Sequence, residues 1–229
     1  TGSDFIEVFQ GEINGFIGGA VAWGDYDNDG DLDLAIGGEE AAEGSNNPRN
    51  IEIYENIGTG FQMVYQEISR GINGGSTDWG DYDNDGDLDL LITGASFANS
   101  TFRTSSLVDN TPEGFVRNTS NNLVGVANGN GTWGDYDNDG DQDLIVGTPT
   151  GTLVMTNDST GKFSLAATLL HDYDVQSLSV VDFDNDGLLD VFACVYRTSQ
   201  PTGESNFLYR DATGGGKNRL FRNSSTSGS

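Results

Sequence analysis

The sequence predicts an all-β fold made of four repeated units, and three observations carry that expectation. First, an acid-rich stretch, WGDYDNDGDLDL from Trp79, recurs unchanged from Trp23, as WGDYDNDGDQDL from Trp133 and as VVDFDNDGLLDV from Val180. The first aspartates of the copies, Asp25, Asp81, Asp135 and Asp182, are spaced by 56, 54 and 47 residues. Periods near 50 belong to solenoids and propellers, where each repeat is one supersecondary unit. Second, each copy runs into a short apolar segment, LDLAI, LDLLIT, QDLIV or LDVFACV, which reads as a buried strand. Third, 33 glycines against 4 prolines, with 35 % apolar residues, suit many short strands and tight turns better than helices.

Taken in order, each unit divides into four strands. The first leads into the acid-rich loop: Ala20–Asp25, Ser76–Asp81, Gly131–Asp135 and Ser177–Asp182. The second leaves it: Leu32–Ile36, Leu88–Thr93, Gln142–Val146 and Leu189–Val195. The third is Ile51–Glu55, Phe102–Val108, Thr152–Thr156 and, in the last unit, either Phe207–Arg210 or Arg219–Arg222. The fourth is Phe61–Ile68, Phe115–Asn118 and Phe163–Thr168, reached through the turn sequences NIGTG, NTPEG and NDSTG. Four antiparallel strands per unit make the blade of a β-propeller. Residues 1–229 then form a single domain with repeats at about 16–68, 72–119, 127–168 and 175–223. The last unit lacks a fourth strand, and Asp4–Gln10 (DFIEVFQ) resembles one. That strand is expected to complete the last blade. In its own chain it would close the ring; in a neighbouring molecule it would make a dimer or a head-to-tail filament.

Five carboxylates within nine residues repel one another unless a cation neutralises them. Calcium takes six to eight oxygens at about 2.3–2.6 Å, and a loop giving side chains at positions 1, 3, 5 and 9 and a carbonyl at 7 can wrap it. Gly86, at position 6, supplies the sharp turn. The candidate ligand sets are Asp25, Asp27, Asp29, Asp31 and Asp33; Asp81, Asp83, Asp85, Asp87 and Asp89; Asp135, Asp137, Asp139, Asp141 and Asp143; and Asp182, Asp184, Asp186, Leu188 and Asp190. Leu188 at position 7 is no obstacle, since that position offers its backbone. Position 12 is Ile36, Ile92, Val146 or Ala193, never Glu, so these are not EF-hands. Magnesium fits less well, because it keeps several waters in rigid octahedral geometry.

The net charge of −26 follows from the same loops, which hold 19 of the 36 acidic residues. The acidity therefore belongs to metal loops rather than to an acidic tail, and it argues against nucleic acid as a partner. No window of 18 apolar residues is present, so no membrane-spanning helix is expected. The chain opens on Thr1 with no leader-like stretch, which reads as a mature product or an excerpt. A single cysteine, Cys194, excludes an internal disulfide and reads as a small core residue; metal ions would then be the staple.

In loop and flanking strands alike, the repeats resemble the FG-GAP/VCBS repeats of integrin α-subunit propellers and many bacterial surface proteins. The resemblance covers nearly the whole chain and implies calcium in about four sites, with the ligand positions just named. The Phe-Gly pair is not intact, with Phe16-Ile17 closest, and the Gly-Ala-Pro end survives only as Gly147-Thr148-Pro149. Family propellers usually have seven or eight blades, and this chain has four.

The remaining candidates read mostly as structure. Trp23, Trp79 and Trp133 are expected between blades, with a sugar-stacking platform as the alternative. His171, the only histidine, is placed in the connection before the fourth unit and is not read as a general base. No nucleophile elbow or phosphate loop is present, so no enzyme is expected. Sequons at Asn99, Asn118, Asn130, Asn157 and Asn223 are about what composition alone gives. The connections Gly38–Asn50, Ala95–Thr101 and Arg197–Ser205 vary while the loops do not, so a protein or glycan ligand is expected on the face opposite the loops. The expected role is a calcium-stabilised extracellular structural or adhesion module, able to self-assemble into oligomers or filaments. The alternatives are a carbohydrate-binding propeller or an accessory domain of a polysaccharide-active enzyme.

Overall fold

The computed structural model describes residues 13–40, 49–69, 74–95, 103–120, 123–126, 130–148, 150–171, 174–196 and 218–224. Among them are fifteen strands and no helix. Strands β1 (Phe16–Gly24), β2 (Asp33–Glu40), β3 (Arg49–Asn56) and β4 (Phe61–Ser69) form the first sheet in chain order. The second holds β5 (Thr77–Gly80), β6 (Asp89–Ala95), β7 (Arg103–Thr111) and β8 (Gly114–Asn118). The third holds β9 (Gly131–Gly134), β10 (Asp143–Thr148), β11 (Gly151–Asn157) and β12 (Phe163–His171). The fourth holds β13 (Asp174–Val181), β14 (Asp190–Tyr196) and β15 (Arg219–Phe221). All neighbours pair antiparallel, and the sheets are the blades of a four-bladed β-propeller. No helix among the described residues is long and apolar enough to cross a membrane.

Several expectations sharpen. The third strand of the last blade is Arg219–Phe221, paired with Val191–Ala193. Its rival Phe207–Arg210, the strand Asp4–Gln10 and its completion of a blade lie outside the described residues. Strand β1 starts at Phe16 rather than Ala20, continuing past an irregularity between Ile17 and Ala20. His171 is not in a connection: it ends β12, opposite Gly151. Cys194 is free and half-buried rather than a core residue, because the buried face of β14 is carried by Val191, Ala193 and Val195.

The second strand of each blade loses polar alternation because both its faces are covered. On β6, Leu90 pairs with Trp79 and Val108 on one face, while Leu91 pairs with Leu107 on the other. Leu90, Leu91, Val108 and Leu107 are all fully buried. The core therefore lies in seams between blades. In the first seam Ala35, Ile51 and Ile53 meet Leu90, Ile92 and Val108. In the second Tyr82, Leu91 and Leu107 meet Leu144, Met155 and Phe163. In the third Ile145 and Val154 meet Val191.

Aromatic rings close the loop end of two seams. Tyr26 stacks on Trp79 at 6.1 Å and Tyr82 on Trp133 at 6.2 Å, with Phe115 and Phe163 tilted against them. Each such pair adds about 0.5–1.5 kcal/mol beyond its area. The glycine after each tryptophan makes room for the next blade. A Cβ on Gly24 would lie 2.7 Å from Trp79 Cδ1, and one on Gly80 2.7 Å from Trp133 Cδ1. Trp79 and Trp133 are thus keys, each seated in the glycine notch of the blade before it.

Candidate metal centres

Each loop is shaped by its own first aspartate. Asp25 accepts the backbone N–H groups of Asp29 at 3.0 Å and Gly30 at 3.1 Å. Asp135 does the same for Asp139 and Gly140, and Asp182 for Asp186 and Gly187. Asp81 accepts from Gly86 at 3.1 Å. The turn this closes needs two left-handed residues: the asparagine at position 4 (Asn28, Asn84, Asn138, Asn185), with φ near 60°, and the glycine at position 6, with φ of 86–97°. Asparagine tolerates that region and glycine favours it.

The ninth position ties loop to blade. Asp33 accepts from the Asn56 N–H at 2.8 Å, Asp89 from Asn110 at 2.8 Å, Asp143 from Asn157 at 2.8 Å and Asp190 from Asn223 at 2.7 Å. All four of these aspartates are buried. Their second oxygens turn back to the loop in three copies, accepting from Tyr26, Tyr136 and Phe183.

Each loop gathers at least three carboxylates whose oxygens lie within 4.8 Å of one another: Asp25, Asp27 and Asp29; Asp81, Asp83 and Asp85; Asp135, Asp137 and Asp143; Asp182, Asp184 and Asp190. Outside these clusters fall the predicted ligands Asp33 and Asp89 at position 9, Asp139 and Asp186 at position 5, and the seventh-position side chains Asp31, Asp87 and Asp141. Two of them serve the seams instead. Asp87 accepts from Asn28 at 3.4 Å and Asp141 from Asn84 at 2.6 Å, each bond crossing to the next blade. In the third seam Asn138 donates to the Gly187 carbonyl at 2.9 Å.

The donor set fits a hard cation, since every clustered atom is a carboxylate oxygen and no nitrogen or sulfur is among them. Oxygens of Asp81, Asp137 and Asp89 are buried with no hydrogen-bond partner, which is costly unless something compensates. Burial, reinforced by Asp83, Asp109 and Asp85, pushes the Asp89 carboxyl up to about 8 against the opposing Asn110 N–H. Burial likewise pushes Asp143 up to about 6 and raises Asp33, Asp83 and Asp137. These groups resist ionising together, and a divalent ion removes that conflict.

The family comparison follows the same loops. FG-GAP-like repeats match residues 37–92 and 135–193, which contain the second, third and fourth loops. The chain belongs to the FG-GAP-like repeat family. No curated protein matches it. Among solved structures, one of an Agrocybe aegerita lectin, described as recognising non-reducing terminal N-acetylglucosamine, matches at 16 % identity and a TM-score of 0.46. That match covers 90 % of this chain, which spans 66 % of the other's length.

Within this FG-GAP-like protein, one set of residues carries a role not expected from the sequence: the asparagine at or just past the end of each third strand. Asn110 donates its side-chain amide to the Tyr26 carbonyl at 2.9 Å, Asn157 to that of Tyr82 at 2.6 Å and Asn223 to that of Tyr136 at 2.9 Å. Each clamps its blade to the loop of the blade before. The signal was present, because Asn opens the following turn in all four units.

The fourth loop differs. Arg222 places Nε 2.6 Å from Asp184 and Nη2 2.9 Å from Asp186, so a guanidinium already shares its carboxylates.

Proposed function

We propose that this protein is a calcium-stabilised extracellular structural or adhesion module, with four calcium ions held by the loops at Asp25, Asp81, Asp135 and Asp182. The observation that carries the reading is the buried, unpartnered oxygens of Asp81 and Asp137 inside oxygen-only clusters. The ion's work is structural. By linkage, about 1 mM calcium and a Kd of about 10⁻⁴ M would add about 1.4 kcal/mol per site. Calcium outside cells reaches such levels and cytosolic calcium does not, which supports an extracellular setting.

Self-assembly into oligomers or filaments is part of the same reading, with a protein or glycan ligand on the face opposite the loops. A carbohydrate-binding role is favoured by one observation: Trp23 is 55 % exposed, with Phe61 tilted beside it at 5.9 Å. Melting curves in calcium and in EDTA test the main reading, together with calorimetric titration. A melting point several degrees higher in calcium, with about four sites of heat, is expected. Identical melting in both, with no heat, would end it.

A further inference from the structure

An ion needs only the backbone carbonyl of a loop's seventh residue, yet the first three loops place aspartate there. In the second and third blades that carboxylate reaches back to the loop before. Asp87 accepts from Asn28 and Asp141 from Asn84, in each case the asparagine at position 4. A second bridge runs beside this one. The Asn110 and Asn157 amides hold the second-position carbonyls of Tyr26 and Tyr82, while their backbone N–H groups are held by the ninth-position carboxylates Asp89 and Asp143. Neighbouring loops are therefore tied to one another twice. The earlier loop contributes positions 2 and 4, which alternate with its expected ligands at 1, 3 and 5. The later loop contributes positions 7 and 9, both expected ligands. The tie between the second and third loops is the tightest. Asn84 lies 2.6 Å from Asp141, against 3.4 Å between Asn28 and Asp87. Asp141 is buried, and its other oxygen accepts from the Ser159 hydroxyl. Its backbone N–H donates to Asp139 at 3.0 Å. The residue is thus fixed on several sides, and with it the carbonyl that an ion would take. In the third seam Leu188 offers no side-chain acceptor, and Asn138 bonds the Gly187 carbonyl instead.

We propose that Asn84 is a positioning residue that couples the second and third loops, so that calcium in either one orders the other and the two fill as a pair. The inference rests on the calcium reading above and deepens it. Asn84 reaches Asp141 from a left-handed conformation, with φ of 60°, inside the turn that Asp81 closes on Gly86. Without an ion, repulsion among Asp81, Asp83 and Asp85 loosens that turn. An ion that draws these three together holds Asn84 between them, and Asn84 then holds Asp141 in place for the third loop. Coupling between two sites is reciprocal, so an ion in the third loop favours the second to the same degree.

The test uses the full chain, stripped of metal and titrated with calcium in a calorimeter well below its melting point in EDTA, so that binding is read on folded protein. Two of the sites are expected to fill with a Hill slope above one. Asn84→Gly removes the amide and keeps the left-handed turn, which glycine adopts freely. It is expected to bring the slope towards one and to weaken the third loop, identified as the site that Asp137→Ala abolishes, by about five-fold, the low end of usual coupling between sites. Asp85→Ala, which disables the second loop, should weaken the third by at least that factor, and adding Asn84→Gly to it should cost little more. Exchanging the pair, Asn84→Asp with Asp141→Asn, reverses donor and acceptor at constant net charge and should restore the slope. Asn185→Gly makes the same change at a φ of 59°, where the amide has no hydrogen-bond partner among the described residues, and should leave the second and third loops as they were. Independent filling in the unaltered chain overturns the inference. So does a lower melting point in Asn84→Gly with the slope retained, which makes Asn84 a seam bond and nothing more. No heat with calcium overturns the calcium reading and the coupling together, whereas heat from independent sites overturns the coupling alone.

Discussion

The first three blades and the fourth are built on one pattern, yet they handle it differently. Blades one to three carry Trp-Gly before the loop, a carboxylate at position 7 and a fourth strand; blade four carries Val180-Val181, Leu188 and three described strands. Val180 still packs in the third seam, and Asn223 still clamps Tyr136. Two of these departures, Val180 for Trp and Leu188 for Asp, lie on the side that meets the third blade, where Asn138 bonds the Gly187 carbonyl instead of a seventh-position carboxylate; Val181 for Gly lies on the opposite side.

The largest expected effect tests the key. Trp79→Ala or Trp133→Ala opens a packed seam; both rings are half-buried, so the loss should fall at or below the low end of the range for a fully buried Trp, about 3–5 kcal/mol. Trp23→Ala removes the same side chain from an exposed position, and surface changes stay within about 0.5 kcal/mol. Urea denaturation of the three variants, with calcium held constant, reads the contrast. Equal losses would mean that Trp23 sits in a seam of the same kind.

The notch comes next. Gly80→Val writes the sequence of blade four into blade two, placing a Cβ 2.7 Å from Trp133 and 2.5 Å from Gln142 Oε1. Overpacking of this type costs about 1–3 kcal/mol. Val181→Gly, at an exposed site, is expected to change little beyond the backbone term of about 0.5–1 kcal/mol. Thermal melts of both variants check the difference.

Much of this was legible in the chain, and for a physical reason. Loop spacing, the alternation of acids and the strand-length apolar runs are local, so the four loops and nearly every strand could be placed from residues close in sequence. From the sequence Asn157 is a turn former and a sequon; its further role, reaching the Tyr82 carbonyl of another blade, is set by packing. The last blade's third strand stayed ambiguous for a similar reason. Phe207–Arg210 and Arg219–Phe221 are both short and amphipathic, and only pairing with β14 selects the latter.

Within the inner blades, pH is expected to act oppositely with and without metal. Asp89 and Asp143 are raised to about 8 and about 6 by burial and by their neighbouring carboxylates. A carboxyl that binds its proton more tightly folded than unfolded favours the folded state at low pH. Stability of the metal-free protein should therefore fall as pH rises from about 4 to 8, the window between the unfolded and folded values. Calcium should abolish most of that slope and release protons on binding. Melting in EDTA that is flat or rising across this window would show that these carboxyls are not held up by burial.

The smallest effect separates the fourth loop from the others. Arg222 bridges Asp184 and Asp186, and Leu188 withholds the seventh carboxylate, so this loop presents less net negative charge to an ion. An entering calcium must displace the guanidinium, a cost that the first three loops do not carry among the described residues. The fourth site should fill last in a titration followed by terbium luminescence or calorimetry. Arg222→Ala should tighten only that site, by about two- to five-fold, because Arg222 is exposed and water screens its ion pairs with Asp184 and Asp186. Removing a cation that merely decorates the surface would leave all four affinities unchanged. Weakening of the fourth site would instead show that Arg222 orients Asp184 and Asp186 for the metal, making the last blade's departure a support rather than a competitor.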